Sequence, residues 1–239
     1  FIEMAPFLYQ ESYGSAQIRG NADLQNGYNY NIDLRYELFE KNGDMLSITA
    51  YYKHLKAPIE RVQTLSGGSA VHSFRNADNG MATGVEIEFR KEIVKDLRFG
   101  VNGSYMYTNV KLPEGGAYTN SQRALQGASP YLANADLTYS PAFSNDHQLS
   151  VALLYNLQGP RIHSVGISGL GDIKQQPVHT LNFTGSYRFN RRFAVKLQVN
   201  DLLNQDILFK QEVPTTGDKV EVERFRKGTG FEVGFSYDL

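Results

Sequence analysis

Hydrophobic and polar residues alternate along most of this 239-residue chain. Between residues 183 and 189, for example, Phe183, Tyr187 and Phe189 share one side of the pattern, while Thr184 and Ser186 fall on the other. A period of two residues predicts a β-strand with one apolar and one polar face. The same pattern predicts nine strands, over residues 28–39, 45–57, 81–91, 97–110, 130–140, 147–158, 178–189, 193–204 and 228–239. Sustained helical periodicity is absent from the sequence.

The connections between these predicted strands alternate between short and long. Short turns are predicted at 40–44, 92–96, 141–146 and 190–192, and long loops at 58–80, 111–129, 159–177 and 205–227. Successive hairpins therefore begin about every 50 residues, which is a regular hairpin repeat. This rhythm predicts an up-and-down antiparallel sheet whose two ends differ, whereas sandwiches use Greek-key connections.

The apolar faces of the nine strands need a partner that the rest of the sequence does not provide. The sequence predicts neither an amphipathic helix nor a second sheet to cover them, so lipid is the remaining partner. A closed barrel also pairs every backbone N–H and C=O group within hydrocarbon. Tyrosines near the strand ends fit aromatic girdles at the membrane interfaces: Tyr28, Tyr52, Tyr107, Tyr131, Tyr139 and Tyr237. The predicted fold is an all-β, transmembrane, antiparallel up-and-down β-barrel, and the alternative is a soluble β-sandwich or jelly roll.

Composition and motifs argue against several classes of function. With 24 Lys+Arg against 25 Asp+Glu, the charge gives no reason to expect a nucleic-acid partner. The chain has no cysteine, and its five histidines lack metal-ligand spacing. Gly166, Gly169 and Gly171 lie in a predicted loop that no helix follows, so they do not form a phosphate cradle. We therefore expect no catalytic residues, no metal and no cofactor, and a hydrolase barrel is a distant third hypothesis.

Four stretches follow one another along the chain in the order of a known family: EMAPF at 3–7 with GNADL at 20–24, NADNG at 76–80 with TGVEIE at 83–88, SPY at 129–131 with NADLTY at 134–139, and VNDLLN at 199–204. Together they resemble the C-terminal barrel of TonB-dependent outer-membrane receptors. The resemblance implies a barrel of about 22 strands in which these nine are the last. It also implies that residues 1–27 are an extracellular loop leading into a strand and that 28–239 are barrel, with a plug domain and earlier strands outside this sequence. One departure is the final Leu239, because such barrels usually end on an aromatic residue.

The function implied by this resemblance is energy-coupled import of a scarce nutrient through a plugged barrel in the bacterial outer membrane. A siderophore, cobalamin, a peptide and an oligosaccharide all fit that class. The implied partners are outer-membrane lipid, the protein's own plug and the TonB complex, and a surface lipoprotein is a further candidate. The alternative is a passive channel or a structural or adhesive barrel. An upstream plug with a TonB-contacting segment would separate the two hypotheses.

Two sets of residues are candidates for a functional site. The polar face of the strands is expected to line the lumen with charges: Asp33, Arg35, Glu37, Glu86, Glu88, Arg90, Arg98, Asp136, Arg188, Lys196 and Glu232. These charges either contact the plug and a hydrated path or satisfy one another between neighbouring strands. The long loops, expected at the extracellular end, offer aromatic and basic candidates for substrate contact: Tyr118, Arg123, Arg161, His163, Phe209, Lys210 and Arg224.

Overall fold

The computed structural model describes residues 2–10, 17–66, 69–112, 119–144, 147–166, 169–189 and 192–237. Among these residues, no helix is long and apolar enough to cross a membrane. They form one 3-10 helix, Ile2–Met4, and nineteen strands, numbered in chain order: β1 (Leu8–Gln10), β2 (Gln17–Arg19), β3 (Tyr28–Phe39), β4 (Met45–Lys56), β5 (Ile59–Ser66), β6 (Ser69–Asn76), β7 (Asn79–Val94), β8 (Leu97–Lys111), β9 (Gln122–Arg123), β10 (Tyr131–Tyr139), β11 (Ala142–Ser144), β12 (His147–Gln158), β13 (Arg161–Ser164), β14 (Ile173–Gln175), β15 (Val178–Phe189), β16 (Phe193–Asn200), β17 (Ile207–Glu212), β18 (Lys219–Phe225) and β19 (Gly230–Tyr237).

Nine of these strands form one antiparallel sheet, which we call the wall sheet. Its order is β3-β4-β7-β8-β10-β12-β15-β16-β19, so each wall strand pairs with the wall strands that come before and after it along the chain. The short strands β9 and β11 pair with β8 and β12 at its margins. All nine strands predicted from the sequence are confirmed, with ends that shift by a few residues. Within the described residues the sheet is open, and β3 and β19 are its two edges. The predicted turn residues Asn190 and Arg191 and the terminal Leu239 lie outside the described residues.

The strand register separates an apolar outer face from a polar inner face. One outer row crosses six strands and is apolar throughout: Phe99, Leu137, Leu153, Phe183, Val199 and Phe231. An inner row is polar throughout: Ser47, Glu88, Asn102, Asn134 and Asn156. Asn134 Nδ2 donates to Asn102 Oδ1 at 2.6 Å, and Asn156 Nδ2 donates to Asn134 Oδ1. Polar side chains therefore hydrogen-bond to one another across strands on the inner face, and the outer face presents apolar side chains.

Besides β9 and β11, eight strands that the sequence pattern did not predict lie in the expected connections or in residues 1–27, which were expected to be a loop leading into a strand. They form two further four-stranded sheets, β1-β2-β6-β5 and β13-β14-β17-β18, which we call the loop sheets. The strands β1, β2 and β14 have three residues each, too few to show a period of two. Their partners are also remote in sequence, as in the parallel pairing of Gln17 with Val71.

The two loop sheets meet edge to edge at the long-connection end of the wall. Val62 forms a parallel bridge with Val165, and the Val165 N–H donates to the Arg61 carbonyl at 3.1 Å. Val62, Ile162 and Val165 form one buried cluster at this junction. A second buried cluster, within the β13-β14-β17-β18 sheet, consists of Ile173, Ile207 and Phe209. Most of the hydrophobic core of the described chain thus lies in the loop sheets and not in the wall sheet.

Candidate binding site in the loop sheets and on the inner wall

A buried ion pair fastens the connection after β8 to the loop sheets. Arg123 Nη1 donates to Glu60 Oε1 at 3.2 Å, and Arg123 Nη2 donates to Glu60 Oε2. The two side chains are 4% and 2% exposed. The Gln126 N–H also donates to Glu60 Oε1, at 3.3 Å. Arg123, a predicted ligand contact, therefore joins the connection after β8 to β5, although its Nε finds no hydrogen-bond partner among the described residues.

A buried imidazole lies beside this pair. Arg61 Nε donates to Nδ1 of His72 at 2.6 Å, and the ring of His163 lies 6.1 Å from that of His72. Burial, together with the positive charge of Arg61 and the nearby His163, lowers the pKa of His72 from 6.5 to about 3. His72 is consequently a neutral hydrogen-bond acceptor at physiological pH, and it orients the Arg61 guanidinium.

A cavity of about 440 Å³ opens next to these groups. Its lining brings together Arg161 and His163, two of the predicted contact residues, with Arg61, Gln126 and Phe74. Gln126 Nε2 donates to the His163 carbonyl at 2.5 Å, which ties the cavity wall to the ion pair. Guanidinium and imidazole groups beside an aromatic ring can hold a ligand that carries acceptor oxygens and a flat apolar surface. Glu3 also lines the cavity and adds one carboxylate.

Arg161 separates this cavity from a second one of about 660 Å³. The second cavity is lined by Arg123, Arg161, Lys174 and Asp172, among other residues. Arg161 Nε donates to Gln175 Oε1 at 2.7 Å, which fixes the guanidinium between the two spaces. Asp172 Oδ1 accepts from the Gly166 N–H at 3.0 Å and so shapes the loop after β13.

The remaining predicted loop residues have other surroundings. Phe209 is buried, with its ring edge-on to His163 at 4.8 Å between centroids. Lys210 lies on β17, opposite Lys174 of β14. Arg224 pairs with Glu221 and Asp206 on the surface, and the hydrogen bond from Arg226 holds the pKa of Asp206 below its usual value. Tyr118 lies outside the described residues. Ligand contact by any of these residues stays a prediction.

All eleven charged residues predicted for the polar face fall on the inner side of the wall sheet by register. Two ion pairs form among them, Arg35 with Glu37 and Arg90 with Glu88, each at 2.7 Å. Both pairs join residues two positions apart on one strand, and not neighbouring strands as predicted. Residues i and i+2 share a face of a strand, and the long arginine side chain spans the distance.

Sequence reasoning missed Glu60, Arg61, His72 and Gln126. They occur in stretches without a recognisable motif, and Glu60 meets Arg123 across 63 positions. Their proximity depends on the pairing of β5 with β6 and on the bridge at Val62, neither of which the sequence pattern indicates. No group of three metal-ligating side chains occurs in the part of the chain that the structure describes.

Solved structures with a similar fold include a ferric enterobactin receptor, a copper transporter and a ferric yersiniabactin uptake receptor. A mutant of the ferric enterobactin receptor of Pseudomonas aeruginosa aligns over 93% of this chain with 17% identity and a TM-score of 0.58. The copper transporter OprC aligns over 92% with 15% identity and a TM-score of 0.64, and the ferric yersiniabactin uptake receptor of Yersinia pestis over 89% with 17% identity and 0.59. The chain spans about a third of the length of these proteins, at 32%, 33% and 30% respectively.

At such low identity these structures support the fold alone, and at that level the resemblance to receptor barrels is confirmed. No curated protein sequence matches the chain. A family model for outer membrane β-barrel proteins matches residues 1–237, which is nearly the whole sequence. The lipid-facing outer side and polar inner side of the wall sheet fit that match. The chain belongs to the outer membrane protein β-barrel family.

Proposed function

We propose that this chain is the wall and loop portion of a TonB-dependent outer-membrane receptor that imports a scarce nutrient by energy coupling. The observation that carries the proposal is the arrangement of the loop sheets over one end of the wall sheet, with the cavity of Arg61, Arg161 and His163 between them. A receptor needs a fixed binding surface above its barrel, and interlocked loops provide one. The similarity of fold to receptors for ferric enterobactin and ferric yersiniabactin supports the same class.

The complete protein, in this proposal, contributes more than the residues described. Further strands pair with the free edges of β3 and β19 and close a barrel of about 22 strands. A plug fills the lumen, and a segment ahead of the plug contacts TonB. Residues 1–27 then form an extracellular segment leading to the wall, and a surface lipoprotein is a candidate lid. Backbone groups on an open edge within lipid are costly, so closure is a physical requirement.

The passive-channel hypothesis does not account for the ordered loop sheets. Its selectivity arises from the width and polarity of the lumen, and ordered extracellular strands with a buried ion pair contribute nothing to it. The inner row of asparagines fits either hypothesis, because both need a hydrated interior. The cavity and the loop sheets therefore favour the receptor.

Uptake by the complete protein in its host tests the proposal. Cells with and without the gene are given ferric enterobactin, copper, cobalamin and a labelled oligosaccharide, each with and without a protonophore. We expect uptake of one probe to require both the gene and the proton-motive force, and Arg161→Ala with His163→Ala to weaken binding of that probe. Arg226→Ala, which removes a surface ion pair with Asp206 at a residue that does not line the cavity, is the matched control. Uptake that the protonophore does not reduce, together with steady conductance in planar bilayers, would establish the passive channel instead.

A further inference from the structure

The outer face of the wall sheet ends in a polar row at its long-connection end, and the proposed import does not use this row. Strand pairing places five outward side chains next to one another across β3, β4, β7, β8 and β9, and we call them the lysine row: Tyr28, Lys56, Asn79, Lys111 and Gln122. All five are exposed. Only β7 separates the strands of the two lysines, so their Cα atoms are about 10 Å apart.

The lysine row lies at the level where the apolar band of the wall ends. Leu46 and Lys56 both face outward on β4, ten positions apart. A strand tilted by about 40° rises about 26 Å over that length, and the lipid-facing band of such a barrel is about 25 Å tall. Tyr52 and Tyr107 lie on the same face, nearer the middle of the wall, and fit an aromatic belt. Since the long connections of such barrels are extracellular, the lysine row faces the headgroups of the outer leaflet.

Neither lysine of the row is neutralised by the wall. Within the described residues, Lys56 and Lys111 form no ion pair, whereas Lys91, an outward lysine at the short-turn end, pairs with Asp44 at 3.6 Å. The carboxylate next to the row belongs to Asp78, whose backbone N–H donates to the Lys111 carbonyl at 3.1 Å. In the described part of the chain, its side chain forms no ion pair with either lysine. The row therefore carries two uncompensated positive charges at the membrane surface, where they attract an anionic headgroup.

We propose that the lysine row binds the phosphorylated headgroup of a glycolipid in the outer leaflet. Lysine ammonium groups bind phosphate, and the amides of Asn79 and Gln122 match the hydroxyl groups of a sugar. The apolar face beside the row gives the acyl chains of the same molecule a surface to pack on. Exposed lysines alone hold a free phosphate ion weakly, so the site selects a lipid that supplies both contacts. Lipid binding here depends on the orientation of the wall and not on import activity, so either can fail while the other holds.

Native mass spectrometry of the complete, delipidated protein in mild detergent tests the lysine row. The probes are lipid A with both phosphates, the same lipid A without phosphates, and inorganic pyrophosphate. We expect the bisphosphorylated lipid to bind, and its Kd to rise about tenfold or more in Lys56→Gln with Lys111→Gln, because each lysine near a membrane surface contributes to anion binding. The dephosphorylated lipid should bind the unaltered protein about tenfold more weakly, and pyrophosphate at the same concentration should not compete.

The matched control is Lys53→Gln with Lys91→Gln, which removes the same charge from the inner face of β4 and from the short-turn end of β7. It should leave the affinity unchanged, and Lys56→Arg with Lys111→Arg should retain most of the affinity. Both lysines of the row are exposed, so their variants should fold, and circular dichroism checks their β-sheet content. Equal affinities for the two forms of lipid A, an unchanged affinity after both row lysines are replaced, or an equal loss in the control variant would each overturn the proposal. Competition by pyrophosphate would assign the row to a soluble anion instead.

Discussion

The wall sheet and the loop sheets use alternating strands in opposite ways. In the wall sheet, large apolar side chains point outward and stay exposed, with Leu34 at 76% and Phe231 at 74%. In the loop sheets, Ile18, Val62 and Val165 are each 1% exposed. The apolar side of the wall is solvated by lipid, whereas the loop sheets lie in water and must bury theirs against one another. The surrounding solvent, and not the strand pattern, decides where a hydrophobic core forms.

The charged residues show the reverse distribution. The wall sheet leaves its ion pairs, such as Arg35 with Glu37, on an open inner face. The loop sheets bury Glu60, Arg61 and His72, together with Arg123 of the connection after β8, at 9% exposure or less. A buried charge has to be paired or neutral, so the stability of the loop sheets depends on polar contacts that the wall does not need. Three substitutions sharpen this comparison.

The largest effect is expected from Arg123→Met, which leaves Glu60 buried without its cation. Removing one member of a buried pair costs about 3–5 kcal/mol. We expect hydrogen exchange of amides in β5 and β13 to show this loss as a lower free energy of local opening. Amides at the centre of β12 and β15, in the wall sheet, should exchange as before.

The matched control for this change is Arg224→Met, on β18 of the loop sheets. Arg224 is 52% exposed and pairs with Glu221 at 2.7 Å, so water screens this pair and its loss should cost far less stability than the loss of Arg123. A second control, Glu60→Gln with Arg123→Met, removes the orphaned charge and should restore part of the stability. Equal losses for Arg123→Met and Arg224→Met would show that burial of the first pair does not matter.

The second substitution tests whether lipid covers the outer face of the wall sheet. Leu197 lies at mid-strand on the outer face of β16, opposite Gly185 and Val233. Leu197→Arg should lower the free energy of unfolding in lipid vesicles by about 2–4 kcal/mol, because the charge enters hydrocarbon. Gln198→Arg is the control on the adjacent residue, whose side chain faces inward opposite Glu232. It should cost far less, and equal losses for the two variants would contradict the assigned faces.

The wall could be predicted from sequence because its strands are long. Strands of 12 residues such as β3 and β15 are long enough for the apolar-polar alternation to repeat several times, which makes both the period and the face clear. The loop sheets could not, because β1 and β14 have three residues and pair with segments far along the chain. Local pattern contains no information on such pairings.

The candidate site also combines residues that the sequence predicts with contacts that depend on pairing between distant segments. Arg161 and His163 were predicted from residue type and loop position, and the cavity does bring them together. Arg123 has the same residue type and loop position, yet it forms a buried ion pair. The difference arises from Glu60, whose approach depends on the bridge between Val62 and Val165. Residue type and loop position therefore do not distinguish an arginine that lines a cavity from one that is buried in an ion pair, and ligand contact by Arg161 and His163 stays a prediction.

The smallest effect, and the one most specific to the loop sheets, is a pH dependence due to His72. Its pKa is lowered to about 3 in the folded protein, whereas an opened loop restores the ordinary value of 6.5. Above pH 6.5 neither state binds a proton there, and stability is unaffected. Below pH 6.5 the opened state binds the proton and the folded state does not, so stability falls until the pH reaches about 3. The slope approaches about 1.4 kcal/mol per pH unit.

Hydrogen exchange of the β6 amides between pH 7 and 5.5, corrected for intrinsic rates, measures this slope before most carboxylates begin to titrate. The groups facing His72 are Arg61 and His163, so His163→Gln is compared to identify any contribution from that second imidazole ring. His72→Asn keeps an acceptor for Arg61 Nε but cannot titrate, and it should abolish the slope. A slope that persists in His72→Asn, or that appears equally in the wall sheet, would assign the pH dependence to other groups. The wall sheet has no buried imidazole among its described residues, and its exchange should not vary with pH in this range.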